Sequence, residues 1–281
     1  MTSRSRLWMK RFAAPALLAV TGIAALALTT ARAARLGGLS LAVHQAETSH
    51  PSALWHVVHD LCVTDMATRG HAAPCAAVNL GAGFAVVHDP AHPTQLLLVP
   101  TARLSGIESP ALQTQGSPNY WQAAWSARSL LERQVGRPLP REDVGLAINS
   151  VSSRTQDQLH IHIDCVRPDV QAVLRAHAGA IGPHWMTLSP ALLGRPYRVR
   201  WIAGAELGQA DPFKLLARSD PKARANMGAE GLFLVGASRG GRPGFILLSH
   251  RDDLARGEIG AAEELLDHQC RVLSQPVAQP S

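Results

Sequence analysis

A seven-residue stretch in which polar and apolar side chains alternate constrains the fold of this chain more than any other feature. Its polar members are Gln158, His160, His162 and Asp164, and its apolar members are Leu159, Ile161 and Ile163. Successive side chains of a β-strand point to opposite faces, so the alternation predicts a strand with one apolar and one polar face. Two imidazoles on one face suit phosphate chemistry or metal binding. The alternative is that each histidine simply lies on the polar face and has no function there.

The positive charge of the chain is concentrated at its N-terminus. The 281 residues carry a formal net charge of +6, and residues 1–35 contain six of the 27 basic side chains and no acidic one. The rest of the chain therefore has 21 basic and 21 acidic side chains. A neutral body lacks the basic footprint needed to bind a phosphate backbone, so nucleic acid is not expected as a partner.

An apolar run from Phe12 to about Thr30 follows four cations and predicts an N-terminal hydrophobic helix. Its length is close to the roughly 20 residues that span a bilayer as a helix. Residues 1–35 are therefore expected to be an export signal or a retained single-pass anchor in the bacterial inner membrane. Residues 36–50 are expected to be a tether. In both cases the body would lie in the periplasm, and a retained helix would make the lipid bilayer a partner.

The four cysteines agree with an exported body, because an even number in an exported chain suggests two disulfides. Three pairings can be drawn from Cys62, Cys75, Cys165 and Cys270. The pairing of Cys62 with Cys75 is favoured because it closes a short loop that contains Gly and Pro. Cys165 and Cys270 would then fasten the C-terminal segment to the histidine strand. The wide spacings argue against zinc, so no metal site is expected.

The periodicity of residues 51–275 predicts one α+β domain, an antiparallel sheet with packed helices. Helices are predicted over 52–63, 118–135, 169–180, 212–217 and 261–273. Strands are predicted over 82–88, 94–99, 144–148, 158–164, 197–202, 231–236 and 244–249. The glycine-rich stretch from Gly236 to Gly244 fits neither common phosphate-binding pattern, so a hairpin turn is expected there.

Several longer segments carry a resemblance to a known family. The histidine strand resembles the signature of the histidine-triad superfamily, and the body as a whole resembles the bacterial CDP-diacylglycerol pyrophosphatases. The segments that match are Leu97-Leu-Val-Pro-Thr, Gly106-Ile-Glu-Ser-Pro, Ser117-Pro-Asn-Tyr-Trp, Ala124-Trp-Ser-Ala-Arg, Leu146-Ala-Ile-Asn-Ser, His160-Ile-His-Ile-Asp-Cys-Val-Arg-Pro-Asp-Val, Asp211-Pro-Phe, Met227-Gly and Asp267-His-Gln-Cys. The four cysteines also occupy positions that match the family.

The resemblance implies a histidine-triad-like sheet and hydrolysis of CDP-diacylglycerol to CMP and phosphatidate, without a cofactor. It makes His160 the nucleophile that carries a covalent CMP intermediate, and His162 the third member of the triad. Gln158 occupies the first position, where relatives have His. Its amide can donate to a phosphate oxygen but cannot carry a positive charge, so a slower enzyme is expected, not an inactive one.

Four further residues near the strand are candidates for substrate binding. Asn149 and Gln156 flank the loop that would hold ribose or phosphate, and a turn residue is the alternative for Asn149. Arg154 could pair with a phosphate or be a solvated loop arginine. Arg167 could be structural or bind an anionic ligand.

Three other functions stay open at this point. A metal-dependent phosphohydrolase would use His160, His162 and Asp164 as ligands. A nucleotidyltransferase would pass CMP to an acceptor other than water. A periplasmic binder would hold a lipid or nucleotide without turnover.

Overall fold

A computed structural model describes residues 50–274 and shows an α+β fold around a nine-stranded antiparallel sheet. The strands are β1 (Ala77–Asn79), β2 (Phe84–His88), β3 (Leu96–Pro100), β4 (Val144–Ile148), β5 (Ile161–Cys165), β6 (Met186–Thr187), β7 (Arg198–Ala203), β8 (Glu230–Arg239) and β9 (Arg242–Arg251). Their order in the sheet is β1-β2-β3-β5-β4-β8-β9-β7-β6. The predicted α+β class and antiparallel sheet are confirmed, and the likeness to the histidine-triad fold stays a prediction.

Two predicted hairpins are present. Strands β2 and β3 pair directly, with Phe84 opposite Pro100. Strands β8 and β9 pair over ten residues each, so both extend well beyond their predicted lengths. Their turn falls at Gly240 and Gly241, whose φ angles of 56° and 73° lie in the left-handed region that glycine adopts without strain. The glycine-rich stretch is therefore a hairpin turn, as predicted.

The described residues also form six α-helices and one π-helix. They are α1 (Ala53–His56), which continues through the π-helix Val57–Val63 into α2 (Thr64–Arg69), then α3 (Tyr120–Val135), α4 (Pro168–His177), α5 (Pro212–Ser219) and α6 (Pro221–Ala225). Helix α3 begins where the Asn119 side chain accepts a hydrogen bond from the Gln122 N–H, and it ends at Gly136 with φ 76°.

The main apolar core lies between α3 and one face of the sheet. Trp121 and Trp125 of α3 are buried there and meet Phe213 and Phe245 edge-on, with ring centroids 5.5 Å and 4.8 Å apart. Such edge-to-face pairs add to the stabilisation from burial. These tryptophans therefore serve packing, and the apolar side chains of β5 enter the same core.

The polar face of β5 separates two smaller apolar clusters on the other side of the sheet. His162 pairs with Leu97 of β3 and with Ala147 of β4. Leu97 belongs to a cluster with residues of α1 and the π-helix, and Ala147 belongs to a cluster with residues of α4. Because these elements cover both flanks, the polar side chains of β5 are buried and not exposed.

The predicted closing helix over 261–273 is wrong. The segment instead forms two 3₁₀ turns, Ala262–Leu265 and Arg271–Ser274. Between them the Asp267 N–H donates to the Cys165 carbonyl oxygen over 2.8 Å. Cys270 has φ 47°, which a right-handed helix cannot accommodate. Bonds to β5 have thus replaced the internal hydrogen bonds of a helix.

The structure forms the disulfides Cys62–Cys75 and Cys165–Cys270, which confirms the favoured pairing. Within residues 50–274 none of the helices has the length and apolar character needed to cross a membrane. The predicted hydrophobic helix in residues 1–35, and all but the last residue of the predicted tether, lie outside the described residues.

Candidate active site

His160 lies just before β5 with its imidazole held in one tautomer. Its Nδ1 is 2.7 Å from the carbonyl oxygen of Gln158, and because a carbonyl can only accept, Nδ1 carries the proton. Nε2 therefore keeps its lone pair. Burial, together with the neighbouring His162, lowers the pKa of His160 from 6.5 to about 4. At neutral pH the ring is an uncharged imidazole with a free nucleophilic nitrogen.

His162 lies beside this ring, and the two ring centroids are 4.9 Å apart at an interplanar angle of 71°. Its Nδ1 is 3.3 Å from Oε1 of Glu263, an ion-pair distance. Within the described residues neither ring nitrogen makes a hydrogen bond, although the residue is only 5% exposed. A buried imidazole of this kind can bond to a ligand, and the carboxylate is placed to stabilise positive charge on it.

Glu263 is the anionic centre of the site. Gln95 Nε2 donates to its Oε1 over 3.0 Å, and Asn149 Nδ2 donates to its Oε2 over 3.1 Å. The Glu263 N–H donates in turn to Asn149 Oδ1 over 3.1 Å. Burial raises the pKa of this carboxyl, but the charge of His162 and the two amide hydrogen bonds outweigh burial and bring the pKa to about 2. Glu263 is therefore ionised throughout the neutral range.

Two further histidines complete the polar cluster around Glu263. His268 Nδ1 is 2.9 Å from Asp164 Oδ2, and its Nε2 is 3.9 Å from Glu263 Oε1. His92 Nδ1 is 2.7 Å from Asp89 Oδ2, and its ring stacks on that of His268 with centroids 3.9 Å apart. The cluster thus brings together residues of β5, of the β2–β3 connection and of the C-terminal segment.

A cavity of about 640 Å³ opens beside this cluster. Its wall includes Asn149, Arg167, Glu263 and His268, so it carries both signs of charge alongside apolar surface. Its volume is that of a typical small-molecule site. His160 and His162 are not wall residues, and Glu263 is shared between the wall and His162.

The Gln158 side chain is fully buried, and its amide is hydrogen-bonded to backbone groups. Its Nε2 donates to the carbonyl oxygens of Pro100 and Ala102 over 3.1 Å and 2.9 Å, and its Oε1 accepts from the Leu104 N–H over 3.3 Å. The side chain therefore fastens the segment after β3 to the residues that enter β5. The strand begins at Ile161 and not at the predicted Gln158, because the Leu159 N–H donates to the Leu104 carbonyl oxygen, which lies beyond the end of β3. A bond from this amide to a phosphate oxygen stays a prediction.

Gln156 and Arg154 also bond to protein groups. Gln156 Oε1 accepts from the Leu54 N–H over 2.9 Å, which holds the first turn of α1. Arg154 is ion-paired with Glu108 at 2.6 Å and with Asp157 at 3.0 Å, and only 9% of its side chain is exposed. The structure thus makes Arg154 a buried loop cation and not a solvated one.

Asn149 and Arg167 are the two predicted binding residues that reach the cavity wall. Asn149 acts there as a partner of Glu263. Arg167 is about one-third exposed and pairs with Asp169 at 2.8 Å. Both are therefore placed to meet a ligand in the cavity.

Sequence reasoning missed Glu263, Gln95 and the two outer histidines. Glu263 lies in the segment predicted as a closing helix, and Gln95 lies at the start of the strand predicted over 94–99. For His268 one signal exists, because the segment Asp267-His-Gln-Cys carries part of the family resemblance. These four residues come together only through contacts between segments that are distant in sequence, which local sequence patterns do not reveal.

The ligand set considered for a metal-dependent enzyme is not brought together. Among residues 50–274, the groups of three possible ligands are His92 with Glu263 and His268, and Asp164 with Cys165 and Cys270. The second group contains a disulfide, whose sulfurs are not free thiolates. Asp164 bonds to His268 and to the Cys165 N–H.

The buried neutral His160 should make stability depend on pH. Above pH 6.5 the ring is neutral in the folded and the unfolded chain, so it contributes no pH dependence. Between pH 6.5 and about 4 the unfolded chain binds a proton that the folded chain does not, so stability falls as the pH falls. We expect the wild type to lose about 2–3 kcal/mol more than His160→Gln between pH 7.5 and 4.5, measured by urea unfolding. Equal losses in both proteins would contradict the low pKa.

Comparison with known proteins places this chain in an enzyme class. The model of the CDP-diacylglycerol pyrophosphatase family matches residues 49–274. A curated relative from Yersinia pestis, described as CDP-diacylglycerol pyrophosphatase, is 44% identical over 231 residues, which are 82% of this chain and 88% of the relative.

With its buried histidine pair on an antiparallel sheet, the protein is a hydrolase that acts on a phosphoric anhydride. The chain belongs to the CDP-diacylglycerol pyrophosphatase family. The family and the enzyme class predicted from the sequence are both confirmed.

Proposed function

We propose that this protein hydrolyses CDP-diacylglycerol to CMP and phosphatidate, with His160 as the covalent catalyst. The observation that carries the proposal is the hydrogen bond from His160 Nδ1 to the Gln158 carbonyl, which leaves Nε2 unprotonated and nucleophilic. Family membership supports the substrate, because the relative from Yersinia pestis bears the name of that activity.

The reaction divides into two displacements at one phosphorus atom. The Nε2 lone pair forms a bond to the phosphorus that carries the cytidine ribose, and the bond from this phosphorus to the bridging oxygen breaks. The bridging oxygen keeps that electron pair and leaves as part of phosphatidate. Because this leaving group is a weakly basic phosphate, alignment and charge stabilisation matter more than a strong general acid. Water then attacks the same phosphorus and gives up a proton to solvent. The P–N bond breaks, its electron pair returns to Nε2, and CMP is released with the neutral His160 restored.

His162 is suited to stabilising the charge on the non-bridging oxygens. Its ring lies next to His160 and makes no hydrogen bond within the described residues, so it can bond to a phosphate oxygen. Glu263 balances positive charge on this ring, and Gln95 and Asn149 hold the carboxylate in place. His162 and Glu263 are thus already oriented to stabilise the charge that develops on the phosphate oxygens.

A label-transfer experiment tests the covalent step. The protein is incubated with CDP-diacylglycerol labelled in the cytidine and is quenched in alkali, in which phosphohistidine survives. We expect label on the wild type and none on His160→Ala. Turnover without labelled protein would overturn the covalent step. Absence of CMP and phosphatidate from the products would overturn the substrate, and formation of a CMP ester with an added alcohol would indicate a transferase.

Gln158→His should change the rate little. The Gln158 side chain serves the backbone of residues 100–104, and its contribution to His160 is a main-chain carbonyl that any residue supplies. We therefore expect wild type and Gln158→His to differ in kcat by less than the roughly 100-fold effect typical of losing a general acid. Steady-state assays of the two proteins side by side measure this. An inactive wild type and an active Gln158→His would show that a triad imidazole is needed at this position.

We also propose that the catalytic domain lies in the periplasm, held at the inner membrane by the hydrophobic run in residues 1–35. Two disulfides support an oxidising compartment, and the basic residues before the run support a cytoplasmic N-terminus. Protease added to spheroplasts should digest the domain. Digestion only after the membrane is lysed would place the domain in the cytoplasm.

A further inference from the structure

Three potential metal ligands converge beside the reaction centre. Two of them, His92 and His268, have no role in the proposed chemistry, whereas Glu263 also pairs with His162. One atom from each of His92, Glu263 and His268 lies within 4.8 Å of the corresponding atoms of the other two. His92 comes from the β2–β3 connection, and the other two come from the C-terminal segment. The three residues follow no metal-binding spacing in the sequence, and the sequence therefore predicts no metal site.

The hydrogen bonds of the two imidazoles leave one nitrogen of each available as a ligand. Nδ1 of His92 is bonded to Asp89, and Nδ1 of His268 is bonded to Asp164. A carboxylate accepts the Nδ1 proton, so Nε2 of each ring is the nitrogen left to bind a metal ion. A carboxylate behind a histidine is the usual arrangement around a metal-binding imidazole, because it fixes the tautomer and raises the basicity of the ligand.

The third ligand is also oriented. Gln95 and Asn149 donate one hydrogen bond to each carboxylate oxygen of Glu263 and so hold the group in position. His268 Nε2 is 3.9 Å from Glu263 Oε1, and the ring of His92 stacks on that of His268, so the two imidazoles and the carboxylate lie close enough together to share one cation. The adjoining cavity of about 640 Å³ leaves space for water as a fourth ligand.

We propose that His92, Glu263 and His268 form a binding site for a divalent transition metal ion of the Zn²⁺ type. The ligand set is two imidazoles and one carboxylate, with Asp89 and Asp164 supporting the imidazoles. Two nitrogen ligands of a tetrahedral zinc ion lie about 3.4 Å apart, so modest rotations of the partly exposed rings close the site. The site does not include His160, but it shares Glu263 with His162.

Equilibrium dialysis of the untagged full-length protein against Zn²⁺ tests the proposal. We expect one tightly bound equivalent in the wild type and also in His160→Ala. His92→Gln and His268→Gln should each bind at least about 100-fold more weakly. Asp89→Asn, which removes only a supporting carboxylate, should bind about 10- to 100-fold more weakly. Co²⁺ provides a second readout, since its visible absorption should be present in the wild type and lost in His92→Gln.

His56→Gln is the matched control, because His56 also bonds its Nδ1 to a carboxylate, that of Asp60 at 2.7 Å, but lies on the surface outside the cluster. Its zinc affinity should equal that of the wild type. The proposal is overturned if the wild type binds less than about 0.2 equivalents, or if folded His92→Gln and His268→Gln, checked by circular dichroism, keep wild-type affinity. If only His56→Gln lost zinc affinity, the zinc would be bound at the surface around His56, and the proposed site would also be overturned.

Discussion

Replacing His160 by alanine is expected to lower kcat for CDP-diacylglycerol by about 10⁴-fold or more, with a much smaller change in KM. In the proposed mechanism the variant lacks the Nε2 lone pair that forms the bond to phosphorus. His162 has its Nδ1 against Glu263, so it cannot take the position of the attacking nitrogen without leaving its carboxylate. Steady-state assays of released CMP measure both constants.

His250→Ala is the matched control for this experiment. His250 is also buried, 3% exposed, and its Nδ1 bonds to a backbone carbonyl, that of Pro196, over 2.9 Å. Its replacement removes the same atoms from a similar environment but should leave kcat within a few-fold of the wild type. If both variants lost activity to the same extent, the loss would follow from burial and His160 would not be the nucleophile. A His160→Ala variant with near wild-type kcat would contradict the assignment directly.

Removal of the disulfide Cys165–Cys270 is expected to have the largest effect on stability. The bond closes a loop with a sequence separation of 105, whereas Cys62–Cys75 closes one of 13. Loop-closure entropy grows with loop length, so Cys165→Ala with Cys270→Ala should cost about 4–5 kcal/mol of unfolding free energy. Cys62→Ala with Cys75→Ala should cost about 3 kcal/mol. Urea unfolding of the two double variants measures the difference.

The same variant should also lose activity, for a structural reason. The Cys165–Cys270 bond fastens the segment that carries Glu263 and His268 to β5, which carries His162. Without it the carboxylate is no longer held at 3.3 Å from His162, so kcat should fall even under conditions in which the protein is folded. The short-loop variant provides the control and should keep its kcat. Equal stability costs for the two pairs, or full activity after loss of the long-range pair, would contradict this account.

Local patterns in the sequence predicted much of the fold. The hairpin of β2 and β3 follows from two apolar runs and the turn residues between them, and α3 follows from its apolar periodicity and the Gly136 stop. The closing helix over 261–273 was predicted wrongly. The helical preference indicated by its apolar periodicity is overridden by the disulfide and the main-chain bonds that tie this segment to β5. The extent of β8 and β9 was underestimated because polar residues near the turn, such as Arg239 and Arg242, still pair in the ladder.

The residues of the site also divide into those that local sequence patterns locate and those that only the folded structure reveals. His160 and His162 can be located from the alternation of residues 158–164, since the geometry of a strand places them on one face. Gln158 can be located in the same way, yet its side chain bonds to the segment after β3, which the alternation does not indicate. Glu263 cannot be located from any local pattern, because its function depends on a contact with His162 across about a hundred residues of chain.

The amino-acid order alone specifies a histidine-bearing strand in an antiparallel α+β sheet, its hairpins and the family to which the chain belongs. These properties depend on side-chain alternation, turn chemistry and segment similarity, all of which act over short stretches. The partners of the histidines were settled by the folded chain, in which sheet order and the Cys165–Cys270 bond bring Glu263 and His268 to β5. Burial at this junction lowers the pKa of His160 to about 4 and so keeps its imidazole neutral at neutral pH, an effect that no isolated strand could produce.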